Sequence, residues 1–253
     1  MDIKIIVATH KKYWMPEDNM YLPIHVGHAG KEDLGYTGDD TGVNISEKNV
    51  NYCELTGLYW AWKNLKADCL GLVHYRRHFC LHRSFTDKKK CILTQSQAEK
   101  LLEGTDVVVP KPRNYYIETN YSQYAHAHHR TDLDVTRDIL TERSPEYVEA
   151  FDRVMKKTSG HRFNMLIMRR KILDEYCTWL FDVLFELEKR LDISDYNAND
   201  CRVFGFVSER LLDVWLDSNQ IKYRECAYIF MEKQNWLKKG SRFLMRKIKP
   251  CKP

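Results

Sequence analysis

Two arginines flanked by histidines at the end of an apolar run suggest anion chemistry before any fold is considered. In GLVHYRRHF (residues 71–79) a short buried-strand pattern passes directly into His74, Tyr75, Arg76, Arg77 and His78. A strand that merely reaches the surface usually meets Gly, Asn, Asp or Pro first. Guanidinium forks match phosphate oxygens in pairs, so a diphosphate is the natural partner of Arg76 and Arg77. Two further basic strand ends accompany this one: Thr9-His10-Lys11 after IKIIVA, and Lys111-Pro112-Arg113-Asn114 after DVVVP. Open α/β sheets bind ligands beyond the carboxyl ends of their strands, so all three converge on one edge if the sheet is parallel. Thr9, His10, Lys11, His74, Tyr75, Arg76 and Arg77 are therefore the expected donor-binding set. The chain contains neither GxxxxGK[ST] nor GxGxxG. That removes the P-loop and the dinucleotide fingerprint, and leaves a nucleoside diphosphate held by side chains, as in a sugar nucleotide.

A second polar stretch, KPRNYYIETNYSQYAHAHHRTDLD (111–134), carries His126, His128, His129 and several tyrosines. Alternate histidines without a nearby acid or cysteine are a weak metal signature. Hydrogen bonding of His128 to sugar hydroxyls, with Tyr116 and Tyr124 stacking on the ring, is the expected use. In YWAWK, Trp62 is expected to face the core and Trp60 either the ligand or nothing.

The elements that must position these groups alternate between strand and helix. IKIIVA (3–8) and DVVVP (106–110) read as buried strands, and YLPIHVG (21–27) as an edge or irregular one. HAGKEDLGYTGDDTGVN (28–44) is a long Gly- and Asp-rich loop, of the kind that is more often functional than idle. ISEKNVNYCELTGLYWAWKNL (45–65) has helical spacing, with Asn44 or Ser46 as its cap, and Thr94 with Gln97 makes a capping box. Ser144-Pro145 opens another helix, FNMLIM (163–168) reads as a strand, and KILDEYCTWLFDVLFELEKRL (171–191) as a long helix. A helix capped by Ser208 and a last strand, KYRECAYIF (222–230), follow. The alternation predicts an α/β/α sandwich with a mostly parallel sheet, formed as one domain over residues 1–235.

Composition narrows the classes. At 43% hydrophobic the 253-residue chain is large enough for a real core, and it holds no apolar run of spanning length or leader pattern, so a cytoplasmic protein is expected. The eight cysteines are scattered without CxxC spacing and read as reduced residues. A net charge of +5, not gathered into one stripe, argues against a nucleic-acid-binding protein, the alternative that mixed aromatics and cations raise. Residues 236–253, WLKKGSRFLMRKIKPCKP, have seven Lys or Arg and no acid, interleaved with apolar residues. Such a tail fits a peripheral attachment to the inner face of the cell membrane.

The set IVATHK, GDDTGVNISEKNVNYCELTGLYWAWKN, GLVHYRRHF, DVVVPKPRNY and FNMLIM resembles a family of small bacterial glycosyltransferases of capsular and exopolysaccharide synthesis, long known only as a domain of unknown function. The likeness covers nearly the whole chain up to about residue 235. It implies a GT-A-like nucleotide-sugar fold. For some members it implies inverting transfer of galactofuranose from UDP to a glycan, including lipid-linked and O-antigen acceptors. Many GT-A enzymes hold a divalent cation on a D-x-D at a strand end. Here His74-Tyr75-Arg76-Arg77 occupies that end, so no metal ligand is assigned and Mg or Mn stays an open alternative. The one literal D-x-D, Asp132-Leu133-Asp134, reads as helix capping. Inversion needs a carboxylate base, for which Asp40, then Asp39 and Glu209, are the choices. A sugar-nucleotide hydrolase would share the pocket and differ only in using water as acceptor.

Deleting residues 236–253 is expected to weaken binding to anionic vesicles while transfer to a soluble acceptor mimic persists. A co-sedimentation assay run beside a transfer assay reads both, and loss of donor binding on truncation would contradict the assignment.

Overall fold

The computed structural model describes residues 1–84 and 87–234, and these group into two compact units. The tail of residues 236–253 lies outside the described residues. The first unit comprises Met1–Lys111, Phe163–Trp179 and Ile221–Met231. Its sheet is built on β1 (Ile3–Thr9), whose Ile, Val and Ala side chains are all buried. Branched residues at successive positions suit a strand covered on both faces. β2 (Tyr21–His25) and β4 (Cys69–His74) run parallel to β1 on its two sides, and β3 (Thr37–Gly38) extends β2 in the same sense.

Beyond β4 the sheet is mixed. β5 (Arg77–Cys80) returns antiparallel to β4 after the two-residue turn Tyr75-Arg76, with His74 opposite Arg77. β9 (Leu166–Arg169) lies antiparallel to both β4 and β6 (Val107–Pro110). β10 (Tyr223–Phe230) is parallel to β6 and antiparallel to β5. Four of the eight pairings in this sheet are parallel and four antiparallel, which corrects the expectation of a mostly parallel sheet. One reason is local. A two-residue connection from β4 permits only an antiparallel partner. Phe163 and Asn164, with φ of 78° and 53°, lie just before β9. β4 is consequently forked, pairing with β9 through Cys69–Leu72 and with β5 at His74. Because β9 opposes both neighbours, β6 regains the sense of β4. β1, β2, β3, β4, β6 and β10 therefore all end at one edge.

Helices complete the unit. The periodic stretch after residue 45 is interrupted: a 3-10 turn (Ser46–Lys48) and the short α1 (Asn49–Tyr52) stop at Cys53, with φ of 54°, before α2 (Leu55–Asn64) begins. Neither Asn44 nor Ser46 caps α2. α3 (Gln95–Leu101) starts at the expected capping box, the Thr94 N–H donating to Gln97 Oε1 at 3.1 Å. Ile3, Ile5, Val73, Phe79, Val108, Met165 and Ile167 fill one core cluster. Each such side chain removed from water contributes about 1.5–3 kcal/mol.

The second unit comprises Pro112–Arg162 and Leu180–Gln220. It holds a small ladder, β7 (Arg113–Asn114) against β8 (Ser159–Gly160), with α4 (Asn120–Ala127), α5 (Arg130–Arg143), α6 (Val148–Lys156) and α8 (Val203–Ser218). α7 (Arg170–Arg190) passes from the first unit into the second and buries Leu173, Leu180, Leu184 and Leu187, the stripe its spacing predicts. α8 starts five residues before Ser208, whose hydroxyl donates back to the Gly205 carbonyl at 2.9 Å, so Ser208 is an interior residue and not the cap. No helix among the described residues is long and apolar enough to cross a membrane. Seven described cysteines are free, and burial lifts the Cys69 and Cys80 thiols to about 11.

His78 links stability to pH. Burial holds its imidazole down at about 4 from an ordinary 6.5, while Nε2 lies 3.3 Å from the Tyr75 carbonyl. Below about pH 6.5 the unfolded chain takes a proton here that the folded chain refuses until about pH 4. Stability is thus full above that window and falls through it as pH drops, by about 1.4 kcal/mol per pH unit at most. Urea midpoints measured from pH 7 to pH 4 are expected to fall, and to fall less steeply in His78→Leu. An equal slope in the variant would refute this coupling.

Candidate functional site

In the first unit the edge where β1 and β4 end gathers most of the basic residues read from the sequence. Thr9 is buried, and its hydroxyl donates to the Lys11 carbonyl at 2.6 Å and accepts from the Lys11 N–H at 3.3 Å. That turn brings Lys11 Nζ to 5.1 Å from the Tyr75 ring centroid and 5.4 Å from that of Tyr13. At the end of β4, the Tyr75 N–H donates to the Ala8 carbonyl and the Arg76 N–H to His74 Nδ1, at 3.1 and 3.2 Å. The Met231 N–H donates to the Arg76 carbonyl, so the end of β10 also holds the turn.

Tyr75 is the hub of this edge. Its ring, 1% exposed, has the His10 ring edge-on at 5.4 Å, Tyr13 at 4.9 Å, His74 at 4.3 Å and the Arg76 guanidinium carbon at 5.2 Å. A ring this enclosed positions cations around its electron-rich face and is not a surface for a ligand to stack on, so the donor-contact assignment of Tyr75 is corrected to a supporting one. Arg77 takes a different support. Its guanidinium carbon lies 4.1 Å from the Phe163 centroid and 5.8 Å from that of Phe230, in a cluster that Tyr228 completes edge-on. The sequence reading missed Phe163 because its placement depends on a positive φ. Lys111 ends β6 at the same edge, exposed, with its N–H donating to the Cys226 carbonyl at 2.8 Å.

The ends of β2 and β3 carry the acids. Asp39 is buried and its carboxylate accepts from the Gly27 N–H (2.9 Å), the His28 N–H (3.1 Å) and the Ser46 hydroxyl. Three donors use the carboxylate as a loop anchor, which corrects its reading as a base. Asp40 is 31% exposed, with Oδ1 2.8 Å from His28 Nδ1. A Cβ on Gly38 would come within 2.4 Å of His28 Nδ1 and 2.5 Å of Asp40 Oδ1, so only glycine leaves room for this pair. His28, twelve residues away in a loop without periodicity, was not picked out from the sequence. Nor was Glu54, whose Oε1 accepts from Asn164 Nδ2 at 3.0 Å. Trp60 is buried, its indole N–H donating to Thr41 Oγ1 at 2.9 Å, while half-buried Trp62 donates to Asp174 at 3.0 Å. Trp60 is thus the more deeply buried of the two, against the expected placement of Trp62 in the core.

The other predicted residues belong to the second unit. Tyr116 is 80% exposed, with φ of 58°. Tyr124 is buried and its hydroxyl donates to Asp132 Oδ2 at 2.7 Å, so it is a core residue and not a sugar platform. Asp132 also accepts from the Tyr196 hydroxyl at 2.6 Å, and burial raises its carboxyl. Asp132 stands in the first turn of α5, where an acid suits a helix N-terminus, although the cap position itself is His129 and both Asp132 oxygens are taken by tyrosines; Asp134 accepts from the Tyr121 hydroxyl. Each of the three histidines has an acid beside it, contrary to the expectation from the sequence, and His128 and His129 share Asp200, with His129 Nε2 at 3.5 Å. His126 pairs with Glu118, while His128 meets Asp200 at 3.0 Å and stacks on Phe206. Burial pushes the His128 imidazole down to about 4. Glu209 lies in the second turn of α8 beside Arg210, with Oε2 3.1 Å from Nη1. Among the described residues no group of three or more His, Cys, Asp or Glu side chains is arranged to hold a metal ion.

Comparison with known proteins adds lineage to this geometry. Curated proteins give no match. A solved chain described as the apo structure of WbbM, a bifunctional glycosyltransferase, superposes with a TM-score of 0.86 at 32% identity, over 92% of this chain and 46% of that one. The present chain thus spans under half the length of that relative. The profile of a domain of unknown function, DUF4422, matches residues 4–220. That match takes in all of the strand ends described above except the end of β10, and with it the chain belongs to the DUF4422 family.

Proposed function

We propose that the chain is a glycosyltransferase that uses a UDP-sugar donor and extends a glycan in capsular, exopolysaccharide or O-antigen synthesis. The likeness to a bifunctional glycosyltransferase over 92% of this chain carries the reading. The basic edge of the first unit supports its donor half. Lys11, Arg76 and Arg77 carry fixed positive charge there, with His10 and His74 beside them. Positioned cations are what a departing nucleoside diphosphate requires, because negative charge accumulates on its terminal phosphate as the glycosidic bond breaks.

The reaction follows the chemistry of inversion. An acceptor hydroxyl loses its proton to a base at the end of β3, where Asp40 stands, and its oxygen attacks the anomeric carbon. The bond from that carbon to the phosphate oxygen breaks, and its electron pair leaves with UDP. The backbone hydrogen bonds that tie the turn to β1 and β10 hold the arginines in place before the donor arrives, so little reorganisation accompanies the step. Galactofuranose as the transferred sugar, a lipid-linked acceptor and attachment to the inner membrane face through residues 236–253 belong to the same proposal. Tyr116, the exposed ring of the second unit, is assigned to the acceptor.

Calorimetric titration with UDP and UDP-sugars, with and without Mg or Mn, tests the donor half. Arg76→Ala and Arg77→Ala are each expected to weaken UDP binding by about 10- to 100-fold, the loss of a charge-assisted contact. Absence of binding to any nucleoside diphosphate would refute the reading, and a response to added metal would show whether a cation shares the diphosphate with the arginines.

A further inference from the structure

We propose that Glu54, held by Asn164, binds hydroxyls of the donor's sugar and so sets which sugar is accepted; this rests on the transferase reading above and names a residue for the uncharged half of the donor. Asn164 acts through Glu54 and is a positioning residue.

Both residues stand at the edge that carries the arginines. β9 begins at Leu166 opposite Leu72, so residues 163 and 164 precede it at the level of the β4 end. Phe163 carries the Arg77 guanidinium carbon 4.1 Å from its ring centroid, and the next residue, Asn164, donates from Nδ2 to Glu54 Oε1 at 3.0 Å. One hydrogen bond and one ring contact thus connect Glu54 to a cation assigned to the diphosphate. In a nucleotide sugar the anomeric carbon is bonded to an oxygen of the terminal phosphate. Groups beside that phosphate are therefore the ones the sugar hydroxyls meet.

The Glu54 side chain is not consumed by the fold. It occupies the cap position of α2 yet makes no side-chain cap bond, and it reaches instead to a residue 110 positions away. Among the described residues it forms no ion pair, and its one hydrogen bond is the one from Asn164. Oε2 accepts from no donor there and is not enclosed, on a side chain that is half-buried. An ionised carboxylate only accepts hydrogen bonds, and a hydroxyl has one to donate. Facing a diphosphate the same group would be repelled, so its place at a basic edge is accounted for by contact with the sugar.

The backbone holds both members of the pair. Cys53, directly before Glu54, has φ of 54° and ψ of −132°, a combination that suits glycine, while Phe163 and Asn164 have φ of 78° and 53°. Three of the five non-glycine residues with positive φ among the described residues lie in the two segments that meet here. Such conformations persist where the surroundings over-determine them, and they cluster at ligand-binding sites. Asn164 is buried, and asparagine is the residue other than glycine that most readily adopts its backbone.

Calorimetry that compares UDP with UDP-galactofuranose, UDP-galactose and UDP-glucose tests the assignment, the donor bound most tightly being carried into the variants. Glu54→Ala is expected to weaken binding of that donor by about 10- to 100-fold and to leave UDP itself within about threefold of wild type. It is also expected to erase most of the discrimination among the sugars, because a site built to bond a hydroxyl rejects a sugar that places it elsewhere. Asn164→Gly, which suits the left-handed backbone and removes the amide, is expected to shift donor binding in the same direction by a smaller factor. Glu54→Gln keeps the length of the side chain and an oxygen for Asn164, and it decides if Glu54→Ala does not fold: loss of sugar discrimination with UDP binding intact supports the proposal. Equal losses for UDP and donor in a folded variant, or unchanged donor binding, would overturn it. A wild-type chain that binds no UDP would overturn the transferase reading together with this inference, whereas wild-type UDP binding with no sugar-dependent change in the variants overturns this inference alone.

Discussion

The pairing of β9 between β4 and β6 is the constraint on which the first unit depends. β9 opposes both neighbours, so β4 and β6 share one direction. Lys111 therefore ends β6 on the same edge as Lys11 and Arg76, although the sheet is mixed. The fork in β4 follows from the same arrangement. β9 occupies the first four residues of the strand, and what remains is Val73, His74 and a two-residue turn. That turn is the segment that presents the arginines.

The turn itself is held by contacts that are individually small. A cation over an exposed aromatic ring contributes about 0.5–1 kcal/mol, and each backbone hydrogen bond about 1 kcal/mol. Their number around Tyr75 is what matters, since β1, β4 and β10 all hydrogen-bond to the same few residues. Burying a tyrosine to support charges has a clear logic. The ring supplies a negative face without a carboxylate that would neutralise the cations and compete with phosphate. Arg77 uses Phe163 and Phe230 in the same way. The acids at the β3 end are divided by environment, Asp39 enclosed by donors and Asp40 half open beside His28.

Local pattern made much of this legible before any coordinates. Continuous Ile and Val runs announced β1 and β6, the Thr94 and Gln97 pair announced α3, and the cations at strand ends announced the basic edge. What escaped depends on backbone torsion or on partners distant in sequence. The positive φ at Cys53 splits a stretch whose side-chain spacing reads as one helix, and those at Phe163 and Asn164 lie just before the apolar run of an antiparallel strand. Trp60 is buried and Trp62 only half-buried because their indoles bond to Thr41 and Asp174, neither of which periodicity reveals. His28 meets Asp40 across a loop, and Tyr124 meets Asp132 across two helices. In the second unit Tyr124, read as a platform for a sugar, donates its hydroxyl to Asp132 instead.

The first unit is assembled from three separate stretches of chain, and this bears on its biosynthesis. β6 leaves the ribosome more than fifty residues before β9 and more than a hundred before β10, the two strands it pairs with. β5 likewise waits for β10. Until then the nascent chain carries unsatisfied strand edges of high apolar content, which invite pairing with other nascent chains. The compact second-unit segments emerge in the interval and can organise their helices early. Completion of the sheet, and with it the basic edge, waits for β10, so a product terminated before residue 223 carries the arginines but not the strand that secures their turn.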